Sequence, residues 1–247
     1  MKVGILEVGF CNPTMEPKYG LYPPLFPNLI AASDPSIECR GYRVLEGVFP
    51  QSPGECDGWL ITGSKFGVYD DLPWLPRVRA FIEECYALGA PMIGVCFGHQ
   101  LLADTLGGRA EKSTKGWGTG VHRYAVRNDP AWFGVPIGEL SLHAMHQDQV
   151  TAAPPDARVL ASSDFCPAAA LAYGPPGDVR AISVQGHPEF DETFERDLIL
   201  SRRGVGLPTE IADAALDSLG APVDAAAMAD WFVAFLKDAV GRRRAAA

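Results

Sequence analysis

Apolar positions fall into two rhythms along the chain. Short unbroken runs at Lys2 to Val8, Trp59 to Thr62 and Pro91 to Val95 read as buried strands. Between the last two, Leu75, Val78, Phe81, Ile82 and Cys85 recur at helical spacing. They predict a helix over Trp74 to Leu88, with Gly89 as its C-cap. Glu38 to Leu45 predicts a further strand, and Phe97 to Leu106 a helix stopped by Gly107-Gly108. Pro13, Pro17, Pro23, Pro24 and Pro27 mark an irregular stretch followed by a short helix.

The alternation of strand and helix predicts an α/β fold: three layers, a mostly parallel central sheet, helices on both faces. The middle of the chain changes character. Gly116 to Val126, Ser141 to Val150, Arg158 to Ser163, Ala168 to Tyr173 and Arg180 to Gln185 read as short strands. Phe194 to Leu200 reads as helix. Pro208 to Val240 reads as two Ala-rich helices divided near Gly220-Ala221-Pro222. No repeat or linker divides the chain. The expectation is one domain over 1–247, with a core of about 1–205 and a helical extension of about 206–241.

Composition narrows the class. The chain has 247 residues, 47% of them hydrophobic and 21% charged, an ordinary globular balance. Its net charge of −9 argues against nucleic acid as a partner, because phosphate binding needs concentrated Lys and Arg. The one basic run, Arg242-Arg243-Arg244, reads as a solvated tail. Cys11, Cys39, Cys56, Cys85, Cys96 and Cys166 are scattered and form no CxxC pair. With no membrane-length apolar stretch and no signal-peptide core, they suit a reducing cytoplasm and no membrane. No metal cluster and no Gly-rich phosphate loop stand out, so neither a metal nor a cofactor is expected.

The most informative segment is Gly94-Val95-Cys96-Phe97-Gly98-His99-Gln100. A predicted strand ends at Val95 and a predicted helix starts just after Cys96. A turn this tight excludes large side chains two positions to either side, and glycine stands at both. A thiol at a helix N-terminus faces unpaired N–H groups that favour its thiolate. The N–H of Phe97 points where a tetrahedral oxyanion would form, and such a donor is worth about 3–4 kcal/mol.

A thiol nucleophile needs a base. His99 lies one turn into the same helix and would point away from the sulfur. His122 has no carboxylate near it in sequence. His143 and His146 sit in Leu142 to Val150. His187 ends a predicted strand and precedes Pro188, which holds it extended. Residues two apart in an extended chain face the same side, so Glu189 can orient the His187 imidazole.

These residues carry a resemblance. Gly94 to Gln100 and Gln185-Gly186-His187-Pro188-Glu189-Phe190 resemble the two signatures of the class I (triad-type) glutamine amidotransferases. The likeness runs from about Trp59 to about Glu195. It implies a Cys96–His187–Glu189 triad and a γ-glutamyl thioester on Cys96 released by water. It implies an oxyanion hole from the N–H groups of Phe97 and Gly63. Gln100 matches a substrate-binding glutamine. Ile61-Thr62-Gly63-Ser64 resembles the oxyanion loop, with Gly63-Ser64-Lys65 where the family usually has Gly-Gly-Pro, and places Ser64 at the substrate. His146-Gln147-Asp148 resembles the loop that walls the substrate pocket. Lys115-Gly116-Trp117-Gly118 also has a family counterpart, to which no chemistry is assigned.

The resemblance leaves three functions open. One is glutamine hydrolysis, with ammonia passed to a separate synthetase subunit. Another is γ-glutamyl peptidase action on larger conjugates without a partner, as in similar stand-alone members. The last is a non-catalytic regulatory protein, against which the intact triad argues. The first two differ beyond the scissile bond, where Phe10 to Tyr22 and Lys65 to Tyr69 are expected to lie. The C-terminal helices leave a homodimer contact or a cover for the sheet equally open.

Overall fold

The computed structural model describes residues 1–127 and 138–246. The first half builds β1 (Lys2–Glu7), α1 (Glu16–Tyr19), α2 (Leu25–Ser33), β2 (Glu38–Arg43), β3 (Gly58–Ile61), α3 (Leu75–Ala87), β4 (Met92–Val95) and α4 (Phe97–Thr105). Strands then dominate: β5 (Arg109–Lys112), β6 (Gly118–Val126), β7 (Glu139–His146), β8 (Asp148–Ala152), β9 (Ala157–Ser162), β10 (Ala170–Tyr173) and β11 (Ala181–Val184). The chain closes with α5 (Glu192–Arg202), α6 (Thr209–Ser218) and α7 (Ala225–Ala246).

A nine-stranded sheet has the order β2–β1–β3–β4–β11–β10–β9–β6–β7. Its first five strands pair parallel. β10 and β6 run against them, so the other seven strands of the nine point one way. β3, β4 and β11 are buried at every residue, which requires cover on both faces. Ile5, Leu60 and Ile93 are in register and share one face with Ile30 of α2 and Phe232 of α7. Leu6 and Ile61 share the other with Ile82 of α3 and Leu101 of α4. The expected three-layer α/β architecture is therefore present.

Two expectations need correction, and one strand, β5, was not foreseen. Ser141 to Val150 is not one strand. It breaks at Gln147, where β7 ends and β8 leaves to pair with β5 in a separate two-stranded sheet. β5 itself, Arg-Ala-Glu-Lys, has no apolar run to announce it; pairing with β8 forms it. The basic run is not a solvated tail. It continues α7, with Arg242 donating to the Val179 carbonyl at 2.7 Å and Arg244 to Asp57 at 2.8 Å. α7 also packs Met228, Trp231, Phe232 and Leu236 into the main core, so it covers the sheet.

Candidate active site

β4 and β11 lie side by side at the centre of the sheet, in register from Met92↔Ala181 to Val95↔Val184. Both chains leave the sheet at the same edge, so Cys96 and His187 emerge close together. Cys96 has φ 51° and ψ −103°, and is the one non-glycine at positive φ among the described residues. Such backbone strain persists only where the surroundings enforce it. Here they are tight: a Cβ on Gly94 would lie 2.5 Å from the Gly98 carbonyl oxygen, and one on Gly98 would lie 2.2 Å from that of Ile61.

His187 is fixed on three sides. Its N–H donates to the His143 carbonyl at 2.8 Å, which ties it to β7. Its ring stacks on Phe190, 4.1 Å between centroids and 4° from parallel. Its Nδ1 lies 2.7 Å from Glu189 Oε1, and Cys96 lies close enough to act on the same imidazole. Burial alone would lower the pKa of His187, but the Glu189 carboxylate and then Cys96 reverse the sign and hold it well above the usual imidazole value. The imidazolium is thus the favoured form beside the sulfur.

Gly63 faces this pair. A Cβ there would sit 3.0 Å from His187 Cε1 and 3.6 Å from Cys96 Cβ. Among the described residues, neither the Gly63 nor the Phe97 N–H donates a backbone hydrogen bond. Both are free to serve an oxyanion.

The other expected residues divide. Gly63, Ser64 and Lys65 line a cavity of about 540 Å³ that holds Cys96, His187 and Glu189. Gln100, His146, Gln147 and Asp148 do not line it. Gln100 Nε2 instead donates to the Asp148 carbonyl at 2.9 Å and Gln185 Oε1 at 3.2 Å. His146 is buried with Nδ1 3.0 Å from the Asp148 carbonyl, and burial lowers its pKa to about 3. Tyr69, expected at the pocket, reaches Asp148 rather than the cavity. His99 points away from the sulfur, with Nδ1 2.7 Å from Ser183 Oγ.

The cavity opens on the other side of Cys96, between Phe10 to Pro27 and the α5 residues Phe194, Leu198 and Arg202. Sequence reasoning did not single out Phe190, Glu195 or Arg202. The Phe190 ring beneath His187 could have been sought in the His-Pro-Glu-Phe run; the other two are ordinary residues of an amphipathic helix.

The Glutamine amidotransferase class-I family profile matches residues 54–206, more than half of the chain. This chain belongs to that family. Among its relatives, Gamma-glutamyl peptidase 3 of Arabidopsis thaliana is 29% identical over 167 residues, covering 64% of this chain and 65% of that protein. The chain thus spans just under two thirds of that relative's length. GMP synthase [glutamine-hydrolyzing] of Thermus thermophilus is 37% identical over 159 residues, 64% of this chain but 29% of that protein. The crystal structure of a glutamine amido transferase from Methylobacillus flagellatus superposes with a TM-score of 0.74 at 23% identity, covering 98% of this chain and 94% of that one. That likeness supports the fold.

Proposed function

We propose that this chain hydrolyses γ-glutamyl amides through a Cys96–His187–Glu189 triad and a γ-glutamyl thioester. The observation that carries the reading is the buried His187–Glu189 pair, 2.7 Å apart, next to Cys96 and to two N–H groups that donate no backbone hydrogen bond.

In this mechanism Cys96 Sγ attacks the γ-carbonyl carbon while its proton rests on His187. The carbonyl oxygen gains charge and is held by the Gly63 and Phe97 N–H groups. As the C–N bond breaks, His187 gives its proton to the leaving nitrogen, and the thioester remains. Water then gives a proton to His187 and attacks the thioester, releasing glutamate and returning the proton to the Cys96–His187 pair. Glu189 holds the imidazole in the tautomer that serves both steps. The chemistry calls on no metal or cofactor.

The size of the cavity favours a substrate larger than glutamine, as in the peptidase reading. It lies on the His187 side, where the leaving nitrogen is protonated, while Gln100 and Asp148 lie away from it. Even with part of a γ-glutamyl group seated at Cys96 and Gly63, a cavity of about 540 Å³ leaves more room than ammonia needs. The alternative, delivery of ammonia to a separate synthetase subunit, draws support from the glutamine-hydrolysing GMP synthase relative. The six free cysteines suit a reducing, cytoplasmic setting. Among the described residues no helix is long and apolar enough to cross a membrane.

The test is release of glutamate from glutamine and from γ-glutamyl dipeptides by the purified chain alone. Cys96→Ala is expected to lower turnover about a thousandfold or more with the thermal melt intact. Undiminished turnover in that variant would exclude the mechanism.

A further inference from the structure

Arg202 is the last residue of α5 and lines the same cavity as Cys96 and His187. Its guanidinium lies 5.7 Å from the ring centroid of Trp117, a cation–π contact that steadies a planar group. Among the described residues it makes no side-chain hydrogen bond and no ion pair. Neighbouring arginines behave otherwise: Arg196 pairs with Glu192 and Arg203 with Asp213. A half-buried arginine with no anion beside it is a site waiting for one, because its planar fork matches a carboxylate.

The carboxyl group that bears on Arg202 is that of Glu195, on the same helix. It is fully buried, and burial pushes its carboxyl up to about 8, with His187 pulling against that rise. At neutral pH it is mostly protonated and does not neutralise Arg202. Burial lowers the Arg202 pKa, and Cys96 and then Glu195 act to raise it. The cation and the reacting sulfur line the same cavity. Lys65 also lines the cavity, but it is exposed at the rim with its ammonium over Phe66.

The rest of the wall combines aromatic rings with the carboxylates Glu7, Glu16 and Glu189. Phe190 and Phe194 pack as a tilted pair, 4.7 Å between centroids, and Phe10 and Tyr22 as another at 5.5 Å. Phe10 is 43% exposed, an aromatic ring left uncovered at the cavity mouth. An aromatic-lined chamber whose half-buried cation, Arg202, has no ion-pair partner describes its ligand chemically.

We propose that the leaving group is an amino acid or peptide with an apolar side chain and a free carboxylate, and that the Arg202 guanidinium binds this carboxylate. The inference rests on the γ-glutamyl hydrolase reading and specifies the other side of the scissile bond. It makes Arg202 a specificity-determining residue for the leaving amine.

The experiment compares kcat/KM for three substrates: γ-glutamyl-phenylalanine, the same dipeptide with its C-terminal carboxylate amidated, and the same dipeptide with the glutamyl α-carboxylate amidated. The wild-type chain is expected to prefer the free C-terminal carboxylate over its amide by about tenfold or more, chiefly through KM. In Arg202→Gln that ratio is expected to fall to about threefold or less. Arg202→Met, which keeps the apolar stem over Trp117, is expected to behave alike and serves where the Gln variant does not fold.

A wild-type ratio near one, or a ratio that survives both substitutions, overturns the inference. So does an Arg202 effect that follows the glutamyl α-carboxylate, which would assign the guanidinium to the other end of the substrate. Equal hydrolysis of both dipeptides leaves the hydrolase reading standing and removes only this inference. Failure of the wild-type chain on every γ-glutamyl substrate removes both.

Discussion

At the scale of single residues, Glu189 controls the charge on His187. The imidazole is buried, and burial favours its neutral form; the carboxylate at 2.7 Å reverses that preference. Glu189→Gln keeps the shape and removes the charge. The His187 pKa should then fall, so the alkaline limb of the pH–kcat/KM profile moves to lower pH. Turnover should drop about a hundredfold or more. An unmoved alkaline limb in a folded variant would show that another group sets it.

Glu195 gives a second residue-scale test, in stability. Its carboxyl titrates near 4.5 when unperturbed and near 8 in the fold. Between these values the folded chain holds more protons than the unfolded one, so stability falls as pH rises. The contribution is full below about 4.5 and lost by about 8. Each unit of displacement is worth about 1.4 kcal/mol. Glu195→Gln is neutral throughout, so it should gain stability relative to wild type between pH 5 and pH 8 in urea titrations. Parallel pH curves for the two proteins would contradict this account.

At the scale of elements, the β4–α4 turn is enforced by contact between backbones. α4 approaches the end of β3 so closely that a methyl group at Gly98 would meet the Ile61 carbonyl. Gly98→Ala must push α4 away and carry Cys96 and Phe97 with it. The expected cost is about 2–3 kcal/mol of stability, with loss of turnover larger than the loss of folded protein. Chemical denaturation and active-site titration of the thiol measure the two separately. Wild-type turnover in Gly98→Ala would mean that the elbow tolerates displacement.

The same turn explains how much of the site was legible. Gly94, Cys96 and Gly98 are required by local backbone geometry, and local geometry leaves a pattern in the sequence. His187 and Glu189 were legible for the same reason: Pro188 extends the chain and sets both on one side. The substrate side was legible only in part. His146, Gln147 and Asp148 were placed in the substrate-wall loop, with a structural role and direct contact both open; in the fold His146 turns into the interior and the Asp148 carbonyl is held by Gln100. A family loop shows itself in sequence; the direction of its side chains depends on what packs behind it.

At the scale of the molecule, α7 is part of the core although it lies beyond the matched region. Phe232 is fully buried on the sheet face shared with β1, β3 and β4. Phe232→Ala should therefore cost about 3–5 kcal/mol, read from urea denaturation. A loss below about 1 kcal/mol would mark the helix as a loosely attached cover. The Ala-rich composition of this segment predicted helices and concealed their role, because helical propensity is local and burial is not.

The sequence alone determined the strand–helix alternation, the strained cysteine and the histidine–glutamate pair. Each follows from interactions between residues a few positions apart, which need particular side chains at particular spacings. Tertiary structure decided what surrounds them. It set the Gly63 loop against His187, bound β7 to it through the His143 carbonyl, and opened an aromatic cavity that ends at Arg202. Those contacts join segments far apart in the chain, and their energies depend on packing and desolvation that no single segment encodes.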